Sequence, residues 1–408
     1  MRFNLVQPDV ALGKAHRLGS RQFWVILTLV FSQLFFAQAS QAKWKDPLDT
    51  PAASTSKAHK TLLLDVVRAG QRLVAVGGHG HIIYSDDNGR SWQQASVPVS
   101  VTLTAVYFSS AKHGWAVGHD GVVLMSNDSG QSWKRQFDGY SANKAIVTAA
   151  KNKKQQSQVA LDAAEASNNT VLIEEAEMAL EAATYSLEDA EYDASTGSTK
   201  PFLDVWFYDA RRGFAVGAYG MFFYTSDGGN TWKDVSARLP NPERFHLNSI
   251  TLVGNRSLVV VGEMGMILRS DDLGETWHSI PSPYEGSLFS LINVGDQQLL
   301  FGLRGHVYSS SDAGISWTEI MTGSEQTLLS GVVGLKNAVL VGNGGSAILF
   351  DKALKKSRTL ILEGRKAYAA VAEASDGSFI LVGEAGIQLL SATGELIDQT
   401  VSMAAGDF

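Results

Sequence analysis

The sequence predicts an all-β fold, a seven-bladed β-propeller carrying one inserted α-helical hairpin, and three observations predict it. A strand-length apolar run ending in glycine recurs seven times, at Gly77, Gly118, Gly217, Gly262, Gly302, Gly342 and Gly383. A turn of the form Ser/Thr-x-Asp-x-Gly, followed by a tryptophan, recurs five times in fixed register with that glycine: 77 to 92, 118 to 133, 217 to 232, 262 to 277 and 302 to 317. One long stretch without Gly or Pro, from about Ser141 to Asp193, interrupts the spacing once. Two tight turns between three apolar runs make an antiparallel meander, and a further run upstream supplies a fourth strand. Four strands repeated at a period of about 40 residues are a propeller blade. A blade cannot bury both faces alone, so the ring is one cooperative domain.

At the N-terminus, Arg2, Lys14, Arg17 and Arg21 precede the apolar run Phe23 to Ala37. The small-x-small steps Ala37-Gln38-Ala39 and Ser40-Gln41-Ala42 follow. This is the pattern of a secretory signal over residues 1–42, cleaved, or retained as an anchor. Residues 43–60 are polar with two prolines and read as a linker, and the propeller is expected over residues 61–408. The chain has no cysteine and a net charge of −7. Disulfides, thiolate metal sites, a cysteine nucleophile and a lipidated cysteine are excluded, and an acidic chain is not suited to nucleic acid.

Within each repeat the glycines are expected to supply positive φ, and the turn aspartates to bond their own backbone. Those aspartates are Asp87, Asp128, Asp227, Asp272 and Asp312, and their tryptophans are Trp92, Trp133, Trp232, Trp277 and Trp317. Spread one per blade, the carboxylates cannot form the close pair that glycoside hydrolysis needs. The tryptophans belong at the seams between blades. The last two repeats keep their glycines and have lost the Asp turn and the tryptophan.

The Gly-x-x-Gly turns carry residues that change from blade to blade: His79, His119, Asp120, Tyr219, Glu263, Met264, Arg304, Asn343 and Glu384. Variable polar residues on a repeated frame describe a partner-binding surface at the channel mouth. His79-x-His81 is the closest approach to a metal-ligand pair, with both side chains on one side of a strand, but solvated histidines are the plainer reading, and no metal is expected. No phosphate loop, dinucleotide fold or nucleophile elbow is visible, so no cofactor and no enzyme activity are expected.

The Gly- and Pro-free stretch, residues 141–193, reads as two helices broken at Asn168-Asn169. In the second, Ile173, Ala176, Leu180, Ala183, Leu187 and Ala190 form a three-four seam. In the first, a weaker seam runs through Ile146, Ala149, Gln156, Ala160 and Ala163. Lysines on the first helix and glutamates on the second favour an antiparallel pair. A link between blades shares a face with the Gly-x-x-Gly turns, so the hairpin is expected to rise beside them.

The repeat Val-Gly-x-x-Gly-x-Ile-Leu-x-Ser-x-Asp-x-Gly-x-x-Trp resembles the Asp-box, or BNR, repeat. Its order and number, with the export signal, resemble the photosystem II stability/assembly factor family. That resemblance implies a non-catalytic, exported, periplasmic scaffold that binds a membrane-protein complex or its exported subunits. It further implies a monomer peripheral to the membrane, associated outside photosynthetic hosts with RND-type exporters. Photosynthetic members carry basic residues in the third strand before the Asp turn. Here only Arg269 matches, against Tyr84, Met125, Tyr224, Ser309, Leu349 and Leu390. Sialidases share the Asp box, so a glycan-binding or sialidase-like glycoside hydrolase is the alternative. Their Phe-Arg-Ile-Pro signature is absent, with Leu62 to Val67 standing in its place.

Overall fold

Ser257–Gly262 is a run of valine and leucine buried along its whole length, because it is an interior strand with a neighbouring blade on each face. It pairs antiparallel with Leu247–Val253 on one side and Ile267–Ser270 on the other, and His278–Ser279 forms the outer edge. The computed structural model describes residues 45–398 and 400–404 and repeats this sheet around a ring. The secretory-signal reading of residues 1–42 lies outside the described residues. First strands of successive blades contact one another all the way round, and the first strand of blade 7 meets that of blade 1. Each first strand carries an irregularity at the same place, between residues such as Leu63 and Asp65 or Leu247 and Ser249. A bulge there bends and twists the innermost strand where the ring must curve.

The two glycines of each Gly-x-x-Gly turn do different work. The second, such as Gly265 at φ 69°, does sit in the left-handed region. The first does not: Gly262 is extended at φ −160°. A Cβ there would lie 2.2 Å from the carbonyl oxygen of His246, so the first glycine is required by close approach of the preceding strand. The expectation of positive φ is therefore corrected for half of these glycines.

Blade 7 has three strands, Tyr368–Glu373, Phe379–Gly383 and Gly386–Leu390, rather than the four expected of every repeat. The chain reverses at Ser391 to Glu395, but only an isolated antiparallel bridge, Leu390 to Leu396, follows, and among the described residues no outer strand joins that sheet. Instead Ser402–Met403 pairs in parallel with Ser91–Trp92 and adds a fifth strand to blade 1. The stretch read as a linker is packed from Asp46 onward. Leu48 is buried against blades 1 and 2, Ala52 N donates to Val97 O at 3.1 Å, and Ala58 and His59 are buried.

The insertion forms two helices, α1 (Gly139–Ser167) and α2 (Thr170–Ser195), slightly longer than expected. Asp138 caps α1 by accepting from Ser141 N at 2.9 Å. Asn168 ends α1 in the left-handed region at φ 54°, and Asn169 caps α2 by accepting from Val171 N at 3.1 Å. The seam of α2 is the one read from sequence. That of α1 is not: Ala149, Gln156, Ala160 and Ala163 are exposed, and Val147, Ala150, Lys154, Ser157, Leu161 and Ala164 face inward. Ile146 is partly buried against blade 3 rather than α2, together with Ala142 and Ala145. The helix thus turns Ile146 to the propeller and Val147 and Leu161 to α2.

Two aspartates sit on the innermost strands. Asp65 accepts from Val66 N and, across the seam to blade 2, from Val106 N, each at 2.8 Å. Asp204 accepts from Val205 N at 2.8 Å and, across the seam to blade 4, from Ile250 N at 2.9 Å. Both keep some solvent contact, and Asp65 borders a channel cavity of about 360 Å³. Burial among packed strands nevertheless pushes Asp65 up to about 7, opposed by the Val106 bond and reinforced by the charge of Asp204. Burial likewise pushes Asp204 up to about 6, against its hydrogen bonds. Unfolded, both titrate near 4. Between about pH 4 and 7 the native chain therefore holds protons that the unfolded chain has released, so stability falls as pH rises through that window. Discounted for solvent contact, the pair is expected to cost roughly 2 kcal/mol by pH 7.5. The unfolding midpoint measured from pH 4 to 8 should fall, and Asp65→Asn/Asp204→Asn should flatten it. An unchanged slope in that variant would refute the assignment.

Candidate partner-binding face

The Asp turns close on themselves. In blade 4, Ser270 Oγ donates to Asp272 Oδ1 at 2.7 Å, Thr276 N to the same oxygen at 2.9 Å, and Thr276 Oγ1 to Oδ2 at 2.6 Å. Trp277 Nε1 donates to Gly274 O at 3.2 Å. The carboxylate bonds recur at Asp87, Asp128, Asp227 and Asp312, and the indole bond at Trp92 and Trp133. In blade 5 the bonds from the Ser316 hydroxyl and backbone, with Ser310, hold Asp312 well below the usual carboxylate range. The hydroxyl before each tryptophan (Ser91, Ser132, Thr231, Thr276, Ser316) was overlooked, although its recurrence is plain in the sequence. Trp92, Trp133, Trp232 and Trp277 are buried and Trp317 is half-buried, and the indole N–H groups of Trp232 and Trp317 are unpaired.

On the other face, the Gly-x-x-Gly turns of blades 1 to 6 are single 3-10 turns whose middle residue is left-handed, and that of blade 7 is a two-residue hairpin turn between Gly383 and Gly386. His79, Asp120, Tyr219, Met264 and Arg304 all lie at φ between 52° and 58°, and Gly344 takes the same place in blade 6. Each non-glycine tip holds a conformation costing roughly 1 kcal/mol. His79, Tyr219, Met264 and Arg304 are exposed, as are His119 and Asn343 beside their tips and Glu384 in the blade 7 turn. Glu384 pairs with Lys366 at 3.7 Å. The His79–His81 pair is corrected: His79 is a turn tip, and His81 is buried with Nδ1 3.2 Å from Thr61 Oγ1. Among the described residues no cluster of His, Asp and Glu is arranged to hold a metal.

The hairpin stands on this face. Ser198, at its foot, donates to the tip carbonyl of Asp120 at 2.6 Å. Between hairpin and ring lies a cleft of about 530 Å³, with Ile146, Lys153 and Asp193 on one wall and Tyr219 and Arg244 on the other. Tyr219 meets the His246 ring edge-on at 4.9 Å, and Lys200, paired with Asp193, lies 5.3 Å above the Tyr219 ring. His246 Nδ1 is 3.3 Å from Glu263, whose other oxygen accepts from His246 N at 2.8 Å. Tyr219 and Glu263, read separately from sequence, are thus joined through His246. Sequence reasoning missed His246, Lys200 and Arg244, which come from loops between blades. Arg269 is committed elsewhere, to Asp271, to Ser257 at 3.1 Å and to the carbonyl of Ala313.

The family profile described as "Photosynthesis system II assembly factor YCF48" matches residues 90–160 and 187–387. A photosystem II assembly lipoprotein Ycf48 of Synechococcus sp. (strain CC9902) is 35% identical over 124 residues, which is 29% of this chain and 37% of that protein. The chloroplastic photosystem II stability/assembly factor HCF136 of Oryza sativa subsp. japonica is 28% identical over 28% of this chain and 29% of its own length. The matched segments thus span about a third of these relatives. Among solved structures, "YCF48 bound to D1 peptide" superposes with TM-score 0.55 at 13% identity, over 81% of this chain and 93% of that one. YCF48 from Cyanidioschyzon merolae gives 0.55 at 12% identity, over 83% and 97%. The WD40 propeller of Doa1 gives 0.54 at 10% identity, over 83% and 94%, so these likenesses speak to the propeller fold.

Proposed function

This chain belongs to the family described as photosynthesis system II assembly factor YCF48, and from that premise we propose a non-catalytic, exported, periplasmic scaffold that holds an extramembrane segment of a membrane-protein complex during its assembly. It acts as a monomer peripheral to the membrane. Among the described residues no helix is long and apolar enough to cross one. The observation that carries the reading is the set of left-handed tips: one backbone conformation, held at some cost, displaying His, Asp, Tyr, Met and Arg in turn. Strain kept at exposed positions, beside a cleft with cationic and aromatic walls, fits a recognition surface better than a structural one. The finer reading takes the complex to be an RND-type exporter rather than a photosystem. Supporting it, the third-strand arginine pattern has shrunk to Arg269, and Arg269 is engaged inside the propeller.

A photo-crosslinking residue at Tyr219 should capture an extramembrane segment of a membrane protein, and one at Gln131, in an Asp turn, should not. The triple variant Tyr219→Gly, Met264→Gly and Arg304→Gly should lose that capture. Because glycine accepts positive φ freely, the same variant should unfold no earlier than the parent and up to a few kcal/mol later. Equal capture from both faces, or undiminished capture by the variant, would refute the reading.

A further inference from the structure

The outward face of α2 carries an ordered pattern that neither the ring nor α1 uses. With the seam to α1 placed at heptad positions a (Ile173, Leu180, Leu187) and d (Ala176, Ala183, Ala190), the position opposite the seam holds Val171, Met178, Tyr185 and Tyr192. These four are 60%, 63%, 60% and 71% exposed. At a spacing of seven they line up along roughly 32 Å of helix. Isolated exposed apolar residues need no explanation, but an aligned row of four does.

Charge around the row is of one sign. The residue three beyond each of the first three is Glu174, Glu181 and Glu188, and the residue four beyond is Glu175, Ala182 and Asp189; all six are exposed. Helix α2 contains six glutamates, two aspartates and no lysine or arginine. Lysines on neighbouring segments reach Glu191 (from Lys151, at 3.1 Å) and Asp193 (from Lys200), so the glutamates beside the row have no cationic partner among the salt bridges of the described residues. Such a face repels a second copy of itself and the anionic surface of a bilayer, where an in-plane helix needs lysine and arginine beside its apolar stripe. It complements a helix with an apolar stripe between two basic rows, laid along the outer side of the hairpin away from its seam.

We propose that α2 docks a basic amphipathic helix of a partner protein along Val171, Met178, Tyr185 and Tyr192, with Glu174, Glu181 and Glu188 reading its lysines or arginines. This surface points away from the seam and is separate from the cleft beside Tyr219, so it stands or falls independently of the proposed function above.

The test uses the full chain and two synthetic three-heptad helical peptides, with leucine stripes flanked by lysine in one and by glutamate in the other. Fluorescence anisotropy should show binding of the lysine peptide only, weakening with salt. Met178→Ser/Tyr185→Ser should weaken it at least roughly tenfold, as removal of two apolar anchors does. Glu174→Lys/Glu181→Lys/Glu188→Lys should transfer binding to the glutamate peptide. All five sites are exposed, and an unchanged far-UV helix signal in each variant confirms that the hairpin is intact. Tyr219→Gly should leave peptide binding unaltered. Equal binding of both peptides, or no effect of either variant, would overturn the proposal. So would a concentration-dependent dimer, or association with phosphatidylglycerol vesicles, abolished by Met178→Ser/Tyr185→Ser; these would assign the row to a second copy or to lipid.

Discussion

Replacing Trp92 by alanine is expected to cost roughly 3–5 kcal/mol, the range for truncating a large buried aromatic. Its side chain is 0% exposed, donates to Gly89 O at 2.9 Å and packs between Leu73 and Ile83 of blade 1 and Ile380 and Val382 of blade 7. Every other pair of adjacent blades is joined by the chain itself. Blades 1 and 7 are held by such packing and by the added strand, where Ala404 N donates to Trp92 O at 2.7 Å. A hole at Trp92 therefore opens the seam where the ring closes, beside the bond that ties the chain's last described strand to blade 1. Trp317, half-buried and with its N–H unpaired, should cost less than half as much on the same change. Equilibrium urea unfolding of the two variants measures both. Equal losses would mean that the tryptophans are not ranked by their seams.

Gly262→Ala should cost roughly 3 kcal/mol or more, because the new methyl meets the carbonyl oxygen of His246 at 2.2 Å and the Met266 methyl at 2.7 Å. The methionine can swing away. The carbonyl belongs to the backbone just before the inner strand of blade 4, so relief requires that strand to move, and with it the wall of the channel. Gly254→Ala is the control: its φ is 64°, yet nothing lies within 4 Å, so only the left-handed conformation is penalised, by roughly 1 kcal/mol. If Gly262→Ala proves no worse than Gly254→Ala, close approach is not what the first turn glycine serves.

The ring was legible because blades are built from local turn chemistry. Ser270-x-Asp272-x-Gly274 closes within its own few residues, and so announces itself without knowledge of anything distant. The hairpin break was legible for the same reason, since Asn168 and Asn169 do adjacent capping jobs. What failed was what depends on neighbours. The inward face of α1 mixes Val147 and Leu161 with alanine, serine and a lysine stem, and exposed Ala149, Ala160 and Ala163 offer an equally apolar phase. Ile146, near the root, answers to blade 3 instead of α2. The cleft beside Tyr219 draws Lys200, Arg244 and His246 from two separate links between blades, and no spacing rule connects them. The lost turn motif did not tell blades 6 and 7 apart, since blade 6 keeps four strands without it, and the parallel strand that Ser402–Met403 adds to blade 1 carried no local signal.

The left-handed tips have an evolutionary corollary. Since six blades present one residue each on superimposable backbone, the identity of that residue is decoupled from the architecture beneath it. Swapping Tyr219 with Met264, or Arg304 with His79, rotates a constellation of side chains about the symmetry axis while leaving every strand where it was. The helical hairpin, planted after blade 2 alone, breaks the rotational degeneracy and gives the dial a zero mark. New ligand preferences can then arise by shuffling a handful of codons around a fixed compass, with no passage through an unfolded ancestor.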